Sequence, residues 1–120
     1  MGTSLIDELL PTLFTELAPA ELVDEFAATM SDFRPAGLRT CSRAFAEADL
    51  RGVLSRIAVA TLLLYGGNDV RAPLNVAEDL HANIPGSRLV VIKGVGHVCN
   101  LEDPERFNTE VRAFLRSARS

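Results

Sequence analysis

Two apolar runs, at residues 57–65 and 89–92, constrain this chain more than any other feature. Neither alternates apolar with polar residues. A strand that reads this way is covered on both faces, which is the signature of a parallel sheet. Parallel strands need a long crossover rather than a tight turn. The intervening sequence supplies one. Pro73 starts a helical pattern with Leu74, Ala77 and Leu80 inward, ending near Asn83 before Ile84-Pro85-Gly86. After the second run, Asp103-Pro104-Glu105 combines an N-cap, a proline at the first helical position and an acid in the first turn. Phe107, Val111, Phe114 and Leu115 form the apolar stripe of that helix, and Arg112, Arg116 and Arg119 suit the negative end of its dipole. Residues 57–120 therefore read as strand–helix–strand–helix, with parallel strands and a right-handed crossover.

Residues 1–56 read as helix throughout, a separate layer with its boundary near Arg56. Leu5, Ile6, Leu9, Leu10, Leu13, Phe14 and Leu17 recur at helical spacing, predicting a helix over 3–17. Pro11 should break or restart it, because proline lacks the N–H and disfavours a helical residue before it. Pro19 starts a second helix at its first position, with Glu21 in the first turn and Leu22, Val23, Phe26 and Met30 on its apolar face. Residues 31–34 form a turn. Pro35 opens a third helix with Leu38, Cys41 and Phe45 on one side, Cys41 facing the core. Asp49 is placed to N-cap the short turn that follows.

Composition excludes several classes. The 120 residues are 48% hydrophobic and 23% charged, an ordinary globular balance with enough apolar residues for a core. The net charge is −4 and the arginines are scattered, with Lys93 the single lysine, so no basic surface marks a nucleic-acid or anionic-membrane partner. No apolar run reaches the roughly 18–20 residues of a membrane span. The N-terminus lacks a basic region and carries Asp7 and Glu8 early, and Ile6 stands where a myristoylation pattern needs Ser or Thr. Cys41 and Cys99 are far apart and predict reduced thiols in a cytoplasmic protein. Neither a metal nor a cofactor is implied.

The chemistry lies at the ends of the two runs. Asp69 follows the first by a few residues, and His97 follows the second. Parallel strands end on the same edge of a sheet, where ligand sites in open α/β folds lie. Neighbouring strands are about 4.8 Å apart, so two side chains leaving that edge can reach hydrogen-bonding distance. Gly66, Gly67, Gly94 and Gly96 are expected to give the turns the freedom to aim them. A carboxylate on imidazole Nδ1–H fixes the tautomer and leaves the other nitrogen to take a proton from a nucleophile or water. Taken locally, Gly66-Gly67-Asn68-Asp69 is also good turn chemistry in its own right.

The ordered set LLLYGGNDV, IPGSRLVVI, GVGH and EDPERFNTEVRAFL resembles the C-terminal part of the α/β-hydrolase superfamily over about residues 57–116. The set comprises a strand, G-x-x-D at 66–69, a helix, a strand, GH at 96–97 and E-x-P at 102–104. The resemblance implies a partial α/β-hydrolase fold: residues 57–120 as the C-terminal core segment, preceded by lid-like helices at 1–56. It implies that Asp69 matches the triad acid and His97 the triad histidine. Ala60 departs from the proline that many relatives carry there. The family's chain order is Ser, acid, His. No serine of this chain (Ser4, Ser31, Ser42, Ser55, Ser87, Ser117 or Ser120) stands in G-x-S-x-G, and no HG-type oxyanion loop is present.

Two functions follow. In the first, the chain is the C-terminal portion of an enzyme that hydrolyses a small ester or amide through Ser-Asp-His, and is inactive alone. In the second, it is a non-catalytic interaction module derived from that fold. With only two strands evident, the first strand should expose an apolar edge. Self-association, or a complementary N-terminal half, would cover it. Other candidates read as ordinary structure: His81 as solvated, Cys99 as a partly buried inert thiol, and Asn68 and Arg71 as surface turn residues. Phe33 and Phe45 read as core, with an acyl pocket as the alternative.

Overall fold

A computed structural model describes residues 4–119. The chain runs α1 (Leu5–Leu13), α2 (Ala20–Ser31), α3 (Pro35–Glu47), a 3₁₀ turn (Arg51–Arg56), β1 (Leu62–Gly66), α4 (Leu74–Asn83), β2 (Arg88–Ile92), α5 (Cys99–Glu102) and α6 (Pro104–Ser117). The strand–helix–strand–helix reading of the C-terminal half holds, with the short α5 as an addition. β1 and β2 pair in parallel, Leu62 opposite Arg88 and Gly66 opposite Ile92. The two strands therefore end level, which sets the position of everything that follows them.

The first strand begins at Leu62, five residues after the apolar run starts. Its first rung is the Arg88 N–H on the Thr61 carbonyl at 2.9 Å. Before Arg88 the chain turns away through Pro85 and Gly86, so Val59 has no ladder partner among the described residues and is 72% exposed. The strands are half-buried along most of their length rather than covered on both faces; only Gly66 and Ile92 are buried. Two strands cannot bury each other, and residues patterned for a wider sheet lie partly in solvent. The core is correspondingly small. Ile92, Val95 and Cys99 pack with Leu64 and Phe107, while Ala77 and Ile84 bury α4 and its exit.

α6 forms as its start signal predicts, with the Asp103 carboxylate accepting the Arg106 N–H at 3.1 Å. Its stripe is narrower than expected, because Leu115 is left exposed.

The N-terminal helices depart more. The expected helix start at residue 3 lies outside the described residues. α1 is capped by Ser4, whose hydroxyl accepts the Asp7 N–H at 3.2 Å. It continues through Pro11 and stops at Leu13, short of Leu17. Pro11 falls in the last turn, where the missing N–H removes one bond of a helix already ending. Pro19 is the N-cap of α2, not its first residue. Phe14 packs edge-on against Phe26, with ring centroids 5.2 Å apart, and ties α1 to α2.

α3 is exposed along its whole length, and Cys41 with it, contrary to the core-facing expectation. An apolar stripe needs a surface to pack on, and among the described residues none buries any residue of α3. Phe45 is 88% exposed. The radius of gyration, 16.4 Å, reflects this; a close-packed chain of this length has about 14 Å. Asp49 does not occupy the cap of the 3₁₀ turn, which is Leu50. It instead ion-pairs with Arg51 at 2.7 Å and accepts that residue's N–H.

Candidate active site

The loops leaving β1 and β2 are hydrogen-bonded to each other from their first residues. The Gly67 N–H donates to the Ile92 carbonyl, and the Asn68 N–H to the Val95 carbonyl, each at 2.8 Å. This extends the parallel ladder past the strand ends and holds the two loops side by side. Gly66 is required by proximity: a Cβ there would lie 2.1 Å from the Gly96 carbonyl oxygen and 2.5 Å from that of Val95. Of the four glycines expected to supply conformational freedom, only Gly94, with φ +84°, uses the left-handed region. Gly66 and Gly96 are instead sites of close approach.

Asp69 and His97 meet. His97 Nδ1 lies 2.9 Å from Asp69 Oδ2. The other carboxylate oxygen, Oδ1, accepts the Arg71 and Ala72 N–H groups, both at 2.9 Å. The Asp69 side chain is 5% exposed and that of His97 39%. Burial pushes the Asp69 carboxyl up, but the Ala72 N–H, His97 and the Arg71 N–H outweigh it and hold the group below the ordinary aspartate value. It therefore stays ionised at neutral pH. Tyr65, beside it on β1, is raised by its burial and then by the Asp69 charge.

An ionised, buried carboxylate on Nδ1 favours the Nδ1–H tautomer. That leaves Nε2 as a base on the open side, and no described residue hydrogen-bonds it. Such a pair can remove a proton from a hydroxyl or water and return it to a leaving group. It cannot itself attack a carbonyl.

Glu102 is the residue whose part the sequence did not disclose. Its carboxylate accepts the Gly96 N–H at 2.8 Å. The same group accepts the Thr15 N–H at 3.1 Å and the Thr15 hydroxyl. The signal lay in E-x-P, but the partner is 87 residues distant. Two further bonds come from the same N-terminal stretch: the Val98 N–H to the Leu13 carbonyl at 3.3 Å, and Arg71 Nη1 to the Thr12 hydroxyl at 3.0 Å. A cleft of about 400 Å³ opens between this stretch and the two loops, with Thr12, Phe14, Thr15, Asn68 and Val70 among its walls.

The remaining candidates lie elsewhere or do little. Cys99 is buried with Ile92 and Val95, and burial pushes its thiol up, the reverse of a reactive cysteine. Asn68 and Arg71 are exposed, as expected, although Asn68 also faces the cleft and Arg71 holds Thr12. His81 is exposed, its Nδ1 2.9 Å from the Ser87 hydroxyl. Phe33, 52% exposed, belongs neither to a core nor to a pocket around Asp69 and His97, and the same holds for Phe45.

A family model described as TAP-like protein matches residues 36–120. The chain is 37% identical over 81 residues to a pimeloyl-[acyl-carrier protein] methyl ester esterase of Neisseria meningitidis, covering 68% of this chain and 32% of that protein. It is 31% identical over 103 residues to 3-oxoadipate enol-lactonase 2 of Acinetobacter baylyi, covering 86% and 38%. Among solved structures, a thermophilic esterase from Thermogutta terrifontis superposes with a TM-score of 0.90 at 28% identity, over 97% of this chain and 44% of that one. The chain thus spans about a third to two fifths of the length of these curated relatives. With a match over residues 36–120 and hydrolase relatives on both comparisons, the chain belongs to the TAP-like family of α/β-hydrolases.

Proposed function

We propose that residues 1–56 are a lid-like segment and residues 57–120 the C-terminal core of a hydrolase acting on a small ester or amide, with Asp69 and His97 as acid and base of its triad. The observation that carries this is the 2.9 Å Nδ1–Oδ2 contact between two loops locked at the same sheet edge. His97 Nε2 would take the proton of a serine hydroxyl as it attacks the carbonyl, then give it to the departing alcohol or amine. Water would return the acyl group as a free acid by the same route. Asp69 would hold the ring and balance the imidazolium. The serine is the missing corner, because no G-x-S-x-G lies in this chain. A nucleophile-bearing half has to complete the site.

The half-buried strands and exposed Leu17, Val59, Phe45 and Val70 support association, with that half or with a second copy. They also favour the second reading, an interaction module without activity. The two free thiols fit a cytoplasmic setting.

The test uses a fluorophosphonate probe and a chromogenic acetate ester. The chain alone is expected to remain unlabelled and inactive. Joined to a nucleophile-bearing half, it is expected to label and turn over, and His97→Ala should cut kcat by about 10⁴-fold or more. Stoichiometric labelling of the chain alone, or full activity of the joined His97→Ala variant, overturns the proposal. A joined form that binds its partner yet stays inert supports the module. By light scattering at micromolar concentration the chain alone is expected to be dimeric or larger, and a monodisperse monomer refutes the association.

A further inference from the structure

The stretch at residues 12–15 crosses both candidate loops, and each of its bonds falls beside one of the paired residues. Thr12 holds Arg71, two residues after Asp69. The Leu13 carbonyl holds the N–H of Val98, the residue after His97. Thr15 holds Glu102, whose carboxylate in turn holds the N–H of Gly96, the residue before His97. The backbone of His97 is thus bonded on both sides to one strap from the N-terminal segment. The fit is close: a Cβ on Gly96 would lie 3.1 Å from Glu102 Oε1 and 3.2 Å from the Leu13 carbonyl. Phe14, buried to 8% exposure against Phe26, anchors the strap between its two bonded ends.

A base is effective only when its ring is held in place; a displacement of about 1 Å costs a reaction on the order of 10²-fold. Among the described residues the His97 side chain has one bond of its own, to Asp69. Its ring orientation therefore depends on where the backbone at 96–98 sits. That backbone follows Gly94, which adopts a conformation open to few other residues, and α5 begins directly after it at Cys99. The Glu102 carboxylate is the side chain that joins this turn to the strap, beside the backbone bond from the Val98 N–H to the Leu13 carbonyl.

We infer that Glu102 is a positioning residue for His97, acting through the Gly96 N–H and the strap at residues 12–15, so that the N-terminal segment is part of the support of the base. This rests on the reading of His97 as the base. The strap does not merely cover the site: loosening Thr15 from Glu102 frees the turn that carries the imidazole.

The test is made on the chain itself, by ¹⁵N NMR of the histidine ring nitrogens at a pH where the rings are neutral, with His81 as internal reference. In the wild type the Asp69 contact should hold His97 in the Nδ1–H tautomer. Glu102→Ala should move His97 toward the Nε2–H form that free imidazole side chains prefer and speed Gly96 amide exchange by about tenfold, leaving His81 unmoved. If Glu102→Ala does not fold, Glu102→Gln and Thr15→Val decide. The first keeps the size and one acceptor; the second deletes only the hydroxyl. Both should shift His97 in the same direction by less. Ile84→Val, a destabilising change in the exit of α4, should leave the ring unmoved, so a response to it would reduce Glu102 to general stability and overturn the inference. A biased wild-type ring that stays biased in the Glu102 and Thr15 variants also overturns it, and overturns it alone. A wild-type ring with no Nδ1–H bias overturns the Asp69–His97 pairing and this inference together.

Discussion

Replacing Gly66 by alanine should separate the candidate acid and base without touching either. The added Cβ would stand 2.1 Å from the Gly96 carbonyl oxygen, 2.5 Å from the Val95 oxygen and 2.9 Å from the Gly96 carbonyl carbon. All three are backbone atoms, so no rotamer change relieves the overlap. Reaching even 3.0 Å from the Gly96 oxygen requires the end of β1 and the histidine loop to part by about 0.9 Å. The Asn68–Val95 bond, now 2.8 Å, crosses the same gap and would be stretched past its useful range. Overpacking of this kind costs about 1–3 kcal/mol, and a lost buried backbone bond adds roughly 1 kcal/mol. Against that, alanine regains about 0.5–1 kcal/mol over glycine in a strand. The net expectation is about 1–3.5 kcal/mol of destabilisation, a large share of the total for a chain with so small a core. The assay is urea unfolding followed by circular dichroism, paired with the His97 tautomer. Gly67→Ala is the control, because its Cβ meets nothing nearer than 3.4 Å; it should fall within about 1 kcal/mol of wild type. Equal midpoints for Gly66→Ala and Gly67→Ala would refute the close-approach argument.

Three further outcomes are expected. Because the folded Asp69 carboxyl is held below the ordinary value of 3.8, its contribution to stability is present above that value and lost as pH falls through the folded one. Asp69→Asn should therefore cost about 1–3 kcal/mol at pH 7, and the gap to wild type in acid and urea titrations should close below pH 3.8. A gap that persists unchanged in acid would refute the assignment. With a thiol reagent under native conditions, exposed Cys41 should react promptly and buried Cys99 only on unfolding, read by peptide mass. Gly94→Ala, forcing a left-handed φ of +84° on an L-residue, should destabilise by about 1–2 kcal/mol in the same urea assay, with wild-type stability as the contrary result.

The crossover and the meeting of Asp69 with His97 were legible because both depend on local rules. Unalternated strands, a proline at the start of α4 and an N-capped α6 each carry their own signal, and level strand ends place the following loops together. The family resemblance rests on the same residues. Whatever required knowledge of a distant surface was not legible. Cys41 and Phe45 lie on a helical stripe that no described residue buries. Val59 is apolar and β-branched, but the chain before Arg88 has already turned away. Pro11 lies in the last turn of a helix that runs on through it to Leu13, where its missing N–H costs little. Glu102 stands in a recognisable motif, yet its role depends on Thr15.

The separation of the bonded partners also has a consequence for the order of folding. Asp69 and His97 are 28 residues apart, whereas Thr15 and Glu102 are 87 apart. Closing the longer loop costs only about 1 kcal/mol more, so chain entropy alone does not set the sequence of events. The prerequisites do. Glu102 is placed to receive Thr15 once β2, the Gly94 turn and α5 have brought its carboxylate to Gly96. The two strands and their loops bring Asp69 and His97 together, and the strap is expected to dock afterwards and fix the turn that carries the imidazole. The expected kinetic consequence is that the strap contacts form late, so that Thr15→Val should speed unfolding more than it slows folding in a stopped-flow urea chevron.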